Sequence, residues 1–446
     1  MYKHDNALNR EWSMASLLKF AFPTIFMMVF MGLYTIVDTI FVAQFVNTDA
    51  LSAINIVCPV VNITVGLGTM IATGGNAIVS RKMGAGKNNE AREDFTLLVI
   101  TAAVVGLIIL ITGIIWIDHI VYALGSGSLL FPYCKDYLRV LFLFIPANMV
   151  QTVLANLFVT AGKPGLGFGL SLLSGLANII LDYVFIVICR LGICGAALGT
   201  GFGYLIPAVF GTVFFLRHEG SLSFTRPRWK WKVLKEACLN GSSEMVGQLA
   251  GAVTTFLFNA SMMDLLGEDG VAAITIMIYS QFLLNTLYIG FSMGVAPIVG
   301  FNHGSKNHLR QRKIFRICMG FIAAASLLVF TVSMFGGPYI IGLYVAPTSK
   351  IYGVATEGFS IFSCSFLFCG LNIFTSAMFT ALSNGKLSAV LSFLRTFGLL
   401  SGGILFLPKL FGIAGIWLAV PVAEGIMFFV SVLCLVHFVH NSLKIS

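Results

Sequence analysis

The sequence predicts an all-α polytopic membrane protein: twelve transmembrane helices in two six-helix lobes related by a pseudo-twofold axis. Three observations lead there. Of its 446 residues, 58% are hydrophobic and only 10% charged, against about 25% charged in soluble globular proteins. Apolar runs long enough to cross a bilayer, about 20 residues each, recur from Ser16 onward with only short polar breaks. Segments of the chain also resemble one another at a fixed offset of 220 residues.

In chain order the expected spans are 16–44, 50–80, 94–117, 133–160, 164–188, 193–216, 238–264, 270–300, 315–345, 353–382, 385–408 and 412–438. The polar start, Met1 to Trp12, has no small-residue cleavage site after a short apolar core, so the first run is expected to stay as a span. Basic residues alternate between loops. Segments on one side carry 21, including Lys3, Arg10, Lys19, Arg81, Lys163, Lys386 and Lys444, and those on the other carry five: Lys135, Arg139, Arg190, Lys350 and Lys409. The positive-inside rule then places both termini in the cytoplasm of a bacterial inner-membrane protein. A net charge of +9 thus reports topology, and a nucleic-acid partner is not expected.

The repeat defines the organisation. DALSAINI at 49–56 matches DGVAAITI at 269–276, LGICGAALGT at 191–200 matches FGIAGIWLAV at 411–420, and Gly84 matches Gly304. Six spans per copy is an even number, so both copies enter the membrane in the same direction and the relating axis lies along the membrane normal. That is the parallel type of transporter repeat, with sites expected near the midplane. The expected units are residues 1–216, a cytoplasmic linker at 217–237 and residues 238–446. The linker holds the densest basic stretch, RPRWKWKVLK at 226–235, read as an amphipathic segment lying on anionic lipid, with a binding partner as the alternative. Nine cysteines, with no CxxC pair and no zinc spacing, read as small core hydrophobes.

An ionisable residue at bilayer depth costs about 2.5–3.5 kcal/mol on insertion scales, so each is a functional candidate. The deep acids are Asp38, Asp182, Glu244 and, less deeply, Glu357 and Glu424; Arg395 is the one deep base. Tyr34 lies one turn before Asp38, so phenol and carboxylate share a helix face. Alternatively, Asp38 sits near the outer end of its span and merely reaches water. Asn178 and Asp182 are four residues apart and also share a face, with Thr200 across a short hairpin. Together these four offer only oxygen ligands, which suits a hard cation such as Na+, or a proton, and not a soft metal; the alternative is a structural hydrogen-bond cluster between helices. Glu244 could meet a cationic substrate or be an interfacial acid. Arg395 could contact an anion, or pair with Glu424 or Glu357. The amides Gln151, Asn156, Asn259 and Gln281 could line a cleft or bond within the core. Some of the 40 Phe and 17 Met residues are expected to line a surface tolerant of varied shapes.

VDTIFVA at 37–43, the NxxxD of 178–182 followed by GICGAALGT, and GIAGIWLAVPVAE at 412–424 resemble signature segments of the multidrug and toxic compound extrusion family; NGSSEM at 240–245 resembles its MepA-like branch. The resemblance covers nearly the whole chain. It implies cation-coupled efflux of hydrophobic organic cations by a monomer with no cofactor, with Na+ or H+ as coupling ion. By the same resemblance, Asp38, Asn178, Asp182 and Thr200 occupy the family's cation-responsive site, and Tyr34 joins the substrate-binding candidates. Some relatives add an acidic site in the second lobe. Here the tenth-span segment SIFSCSFLFCGLNIFTSAMFTAL at 360–382 has no acid and Glu244 lies early in its span, so such a site is not expected.

Among rival functions, an intramembrane enzyme finds no HExxH or GxGD, and ATP-driven transport finds no Walker motif. A flippase for lipid-linked precursors would need several cations to hold pyrophosphate, where only Arg395 is available. A passive channel would not need paired carboxylates beside helix-breaking glycines and prolines.

Overall fold

The computed structural model describes residues 7–46, 48–217 and 220–442. Lys3 and Lys444, and with them both chain ends, lie outside the described residues, as do the side chains of Thr39, Ile40 and Ala43 in the 37–43 motif. Among the described residues every element is helical. α1 (Met14–Phe45), α2 (Thr48–Gly84), α3 (Asn88–Ile115), the short α4 (Ile117–Ala123), α5 (Phe131–Thr160), α6 (Pro164–Asp182) and α7 (Ile193–Arg217) form the first half. α8 (Trp231–Gly304), α9 (His308–Gly342), α10 (Lys350–Ser363), α11 (Phe366–Ala381), α12 (Gly385–Phe393), α13 (Ser401–Phe411) and α14 (Ile413–Ser442) form the second. Two π-helical stretches complete the list: Tyr183–Ile188 prolongs α6, and Leu394–Leu400 joins α12 to α13.

Among the described residues ten helices are long and apolar enough to cross a membrane. α8, with 74 residues, would be roughly 110 Å long at 1.5 Å per residue, far more than a hydrocarbon core of about 30 Å. Gly267, at φ 65° and ψ −148°, breaks it into two arms. α10 and α11 pass as one span bent by 57°. With the second arm and the bent pair, the chain makes the expected twelve crossings. The bend at Cys364–Ser365 contains neither Pro nor Gly; the residue 220 places before Phe366 is Pro146, inside the continuous α5.

The repeat is written into the backbone. Gly86 (φ 77°) and Lys306 (φ 54°), which end the turns after α2 and α8, are 220 residues apart. So are Gly192 (φ 56°) and Gly412 (φ 59°), which open the sixth and twelfth spans. The left-handed conformation suits glycine, and Lys306 adopts it in a turn whose counterpart is glycine. The contact between halves obeys the same symmetry. A Cβ on Gly84 would meet the carbonyl of Phe301, and one on Gly304 would meet the carbonyl of Arg81; each pair is the other with 220 added or subtracted. Farther along, Gly74 rests on the Ala237 carbonyl and Gly241 on that of Met70, while Gly290 and Gly294 receive Thr24, Ile25 and Ala21 of α1. Small residues let these helices approach to backbone contact, as membrane helix pairs require.

The linker departs from the expected lipid-lying segment. Residues 221–230 are not helical and helix α8 begins only at Trp231. Lys230 turns inward to donate to Glu93 (2.8 Å) and Asp94 (3.1 Å) on α3, and Leu222 is buried. A basic stretch facing lipid would leave Glu93 without Lys230 and Asp94 with Lys82 alone; pairing with Lys230 serves both acids. Trp229 and Trp231 remain exposed.

Candidate cation-responsive site

In the first half, α6 and α7 form a hairpin whose contact is built from small residues. Ser174 donates to the carbonyl of Gly203 at 2.5 Å, and the Cβ of Asn178 packs beside Gly203. Asp182, one turn after Asn178 and the last α-helical residue before the π stretch, presses its carboxylate on Gly199, where any side chain would collide with it. Both Asn178 and Asp182 are buried, at 3% and 1% exposure. α1 brings Asp38 to the same place, with the Asp38 and Asp182 carboxylates facing each other closely enough for each to feel the other's charge. Tyr34 lies against Gly175 of α6.

These groups lack donors. Both carboxylate oxygens of Asp182, Oδ1 of Asp38 and Oδ1 of Asn178 are buried without a hydrogen-bond partner. A buried polar group without a partner costs about 1–3 kcal/mol, more when charged, and two bare carboxylates repel in a low dielectric. Four buried acceptor oxygens with no N–H or O–H donated to them are a donor set that a proton or a hard cation would satisfy. Thr200 follows Gly199 on α7 and is half-buried; the carboxylate touches its neighbour. The sequence reading missed Tyr137 of α5 and Tyr204 of α7, whose phenols lie within electrostatic range of Asp38. It also missed Gly199. Deep tyrosines in apolar runs were the available signal, but without the fold nothing tied them to Asp38.

The second half handles its deep charges differently. Arg395 donates from Nε (2.8 Å) and Nη2 (2.7 Å) to one oxygen of Glu424. Asn372 donates to the other oxygen (2.7 Å) and to the Glu424 carbonyl (3.0 Å), and Ser431 donates to Asn372 (2.8 Å). Within this network both carboxylate oxygens of Glu424 and the amide oxygen of Asn372 have donors. Glu357 is exposed and is not the partner of Arg395.

The remaining candidates divide. Gln151 donates to Asn148 (3.1 Å), and Asn156 donates to the Thr152 carbonyl (3.2 Å) while its own oxygen stays unpartnered. Asn259, on the first arm of α8, also has an unpartnered oxygen, and Gln281 is half-buried on the second arm. Glu244 is half-buried on the first arm, near the crossing of α8 with α2, and has no ion-pair partner among the described residues. The six candidates are thus spread over α1, α5 and both arms of α8.

Comparison with known proteins agrees with this architecture. Two curated relatives, each named multidrug export protein MepA, match almost end to end. The one from Staphylococcus haemolyticus is 25% identical over 97% of this chain and 95% of its own length, and the one from Staphylococcus saprophyticus is 24% identical over 92% and 90%. Among solved structures, an outward-facing multidrug resistance MATE family transporter of the MOP superfamily superposes over the full length of both chains with a TM-score of 0.93 at 20% identity. A MOP superfamily transporter from Pyrococcus furiosus, described as having a binding pocket of reverse polarity that suggests a different function, superposes at 0.91 and 20%. At such identities these structures speak for the fold alone. The MatE family model matches residues 23–184 and again 245–400, one stretch in each half. The two matches cover well over half of the chain and repeat with its own symmetry, so the chain is a transporter rather than an enzyme and belongs to the MatE family.

Proposed function

We propose that the chain is a secondary active exporter of hydrophobic organic cations, exchanging them for Na+ or H+ by alternating access, with its basic face and both termini in the cytoplasm. The observation that carries this reading is the set of donor-less oxygens on Asp38, Asn178 and Asp182. A site that repels itself when empty and is neutralised by one small cation changes the packing preference of α1 against α6 and α7. Ion and substrate need only bias the same two-state lobe for their movements to be coupled. Thr200 is proposed as a further oxygen ligand, and Tyr34, Tyr137 and Tyr204 as its aromatic wall. Glu244, an acid without a counter-ion among the described residues, is proposed to meet the positive charge of the substrate, helped by cation–π contacts. The names of the MepA relatives support multidrug export.

The rival reading, a flippase for lipid-linked pyrophosphates, is disfavoured because the one deep base is already bound twice by Glu424. The deciding experiment reconstitutes the protein in vesicles and follows efflux of a fluorescent organic cation under separately imposed sodium and proton gradients. Efflux under one of them is expected. No response to either gradient, or transport confined to anionic lipids, would refute the proposal.

A further inference from the structure

On the basic face, the segment that leads into each half reaches across to the other half. Residues 7–13 precede α1, yet they dock on α9. Arg310 donates to Asn9 (2.9 Å) and, from Nε (3.2 Å) and Nη2 (3.1 Å), to one oxygen of Glu11; Lys313 stands 3.5 Å from the other. Leu8 and Trp12 are fully buried beneath. Residues 220–230 precede α8, yet they dock on α3. Arg92 donates to the carbonyls of Gly220 (2.6 Å) and Ser221 (3.2 Å), the amide of Thr225 donates to Thr96 (3.0 Å), and Phe224 packs on Phe95. Lys230 meets Glu93 and the buried Asp94, which Lys82 of α2 also holds at 2.5 Å.

The two contacts occupy equivalent places with their signs reversed. At the 220-residue offset Glu90 corresponds to Arg310 and Glu93 to Lys313, while Glu11 lies one residue beyond the counterpart of Lys230. α3 is acidic and receives the base Lys230; α9 is basic and receives the acid Glu11, whose neighbour Arg10 leaves residues 7–13 without net charge. Exchanged straps would set Glu11 against Glu93 and Lys230 against Arg310 and Lys313, so these contacts sort the two segments. Between the straps the halves touch directly: Arg81 of α2 pairs with Glu236 of α8 at 2.8 Å, beside the Gly84 and Gly304 crossings.

We propose that these segments are reciprocal latches closed by ion pairs of reversed polarity: residues 7–13 tie the first half to α9 through Glu11 with Arg310 and Lys313, residues 220–230 tie the second half to α3 through Lys230 with Glu93 and Asp94, and both must let go for the basic face to open. The proposal rests on the alternating-access reading above, and the test separates the two because it uses neither drug nor gradient. Amide exchange is followed by mass spectrometry on the full chain in lipid nanodiscs. Glu11→Lys, at a side chain 70% exposed and therefore harmless to folding, should speed exchange severalfold in residues 7–16 and also in the facing segments 70–84 and 231–245. Glu93→Gln should do the same for 220–230 and the facing segments. Glu11→Lys combined with Arg310→Glu and Lys313→Glu should restore slow exchange. Straps that loosen while 70–84 and 231–245 stay protected would show mere attachment and overturn the latch. So would a charge-swapped variant that stays loose, or single reversals without effect.

Discussion

The two halves share a backbone and differ in how they treat charge. At the 220-residue offset Asp38, Asn178, Asp182 and Thr200 correspond to Phe258, Gly398, Gly402 and Val420. The second half has discarded the oxygen cluster and instead carries Arg395 with Glu424, a charge that brings its own counter-ion and uses up its hydrogen bonds internally. Glu424 in turn occupies the counterpart of Tyr204. Duplication thus supplied two frames, of which one was left electrostatically incomplete. An incomplete site can respond to an ion from outside; a complete one is indifferent to it. What distinguishes the first half, the one proposed to respond to the ion, is the set of buried oxygens without donors.

The largest expected effect tests this division directly. Asp38→Asn should reduce gradient-driven efflux to background while the protein still folds and retains some substrate binding, and Asp182→Asn should come close to it. Replacing Arg395 and Glu424 together by Met and Leu should leave the ion dependence of efflux intact. Efflux assays in reconstituted vesicles check both; an Asp38→Asn protein that pumps at the wild-type rate would erase the distinction between the halves.

Stability should show the reverse order. Glu424→Ala strands the Arg395 guanidinium, and breaking a buried pair by removing one partner costs about 3–5 kcal/mol. The Met/Leu double replacement should recover most of that loss, read as the thermal unfolding midpoint in detergent. Asp182→Asn removes a source of repulsion and should not lower that midpoint.

A smaller effect probes what the halves have in common. Gly84→Ala and Gly304→Ala each force a methyl onto a backbone carbonyl, and such overpacking typically costs about 1–3 kcal/mol. Symmetry predicts equal losses from the two, and a double variant that loses less than their sum because one displacement relieves both contacts. Clearly unequal losses would mean that the crossing is not a true symmetry contact.

The smallest effect concerns the straps. The Glu11 contact is solvent-exposed and worth about 0–1 kcal/mol, so raising salt to about 1 M, where the screening length falls to about 3 Å, should loosen residues 7–13. The linker should hold, because Asp94 is fully buried between Lys82 and Lys230. Amide exchange at the two salt concentrations reads both segments at once.

The sequence disclosed most of this architecture, for physical reasons that also explain the gaps. Water excludes twenty-residue apolar runs whatever their tertiary partners, so all twelve crossings could be placed from composition. The repeat offset survived in loops and glycines because those positions are constrained by backbone geometry. The Arg395–Glu424 pairing was legible as one of two options, since a deep base requires a deep acid. The bend at Cys364–Ser365 was not, because no Pro or Gly marks it. Nor was the docking of residues 220–230 on α3: the same basic stretch suits anionic lipid as well as Glu93 and Asp94, and only the fold decides which is nearer. Asp38, Asn178 and Asp182 stood out because charge and amide are rare at depth, whereas Tyr137 and Gly199 are ordinary residues in their runs and acquire meaning only beside a carboxylate.

The π-helical stretches deserve a mechanical reading. Hydrogen bonding from i to i+5 in place of i to i+4 accommodates one surplus residue, and a helix with a surplus can shift it along its length as a ruck is pushed along a carpet, without lifting either end. Every residue the ruck passes advances by one place in register, which in an α-helix of 3.6 residues per turn is roughly 100° of rotation and 1.5 Å of travel. In the first half the ruck at Tyr183–Ile188 begins at the residue after Asp182; in the second, Leu394–Leu400 includes Arg395. The fifth and eleventh spans thus each keep a slack residue beside their one deep charge, and travel of that slack by a single turn would swing the charge to a new compass bearing while both ends of the span stayed anchored.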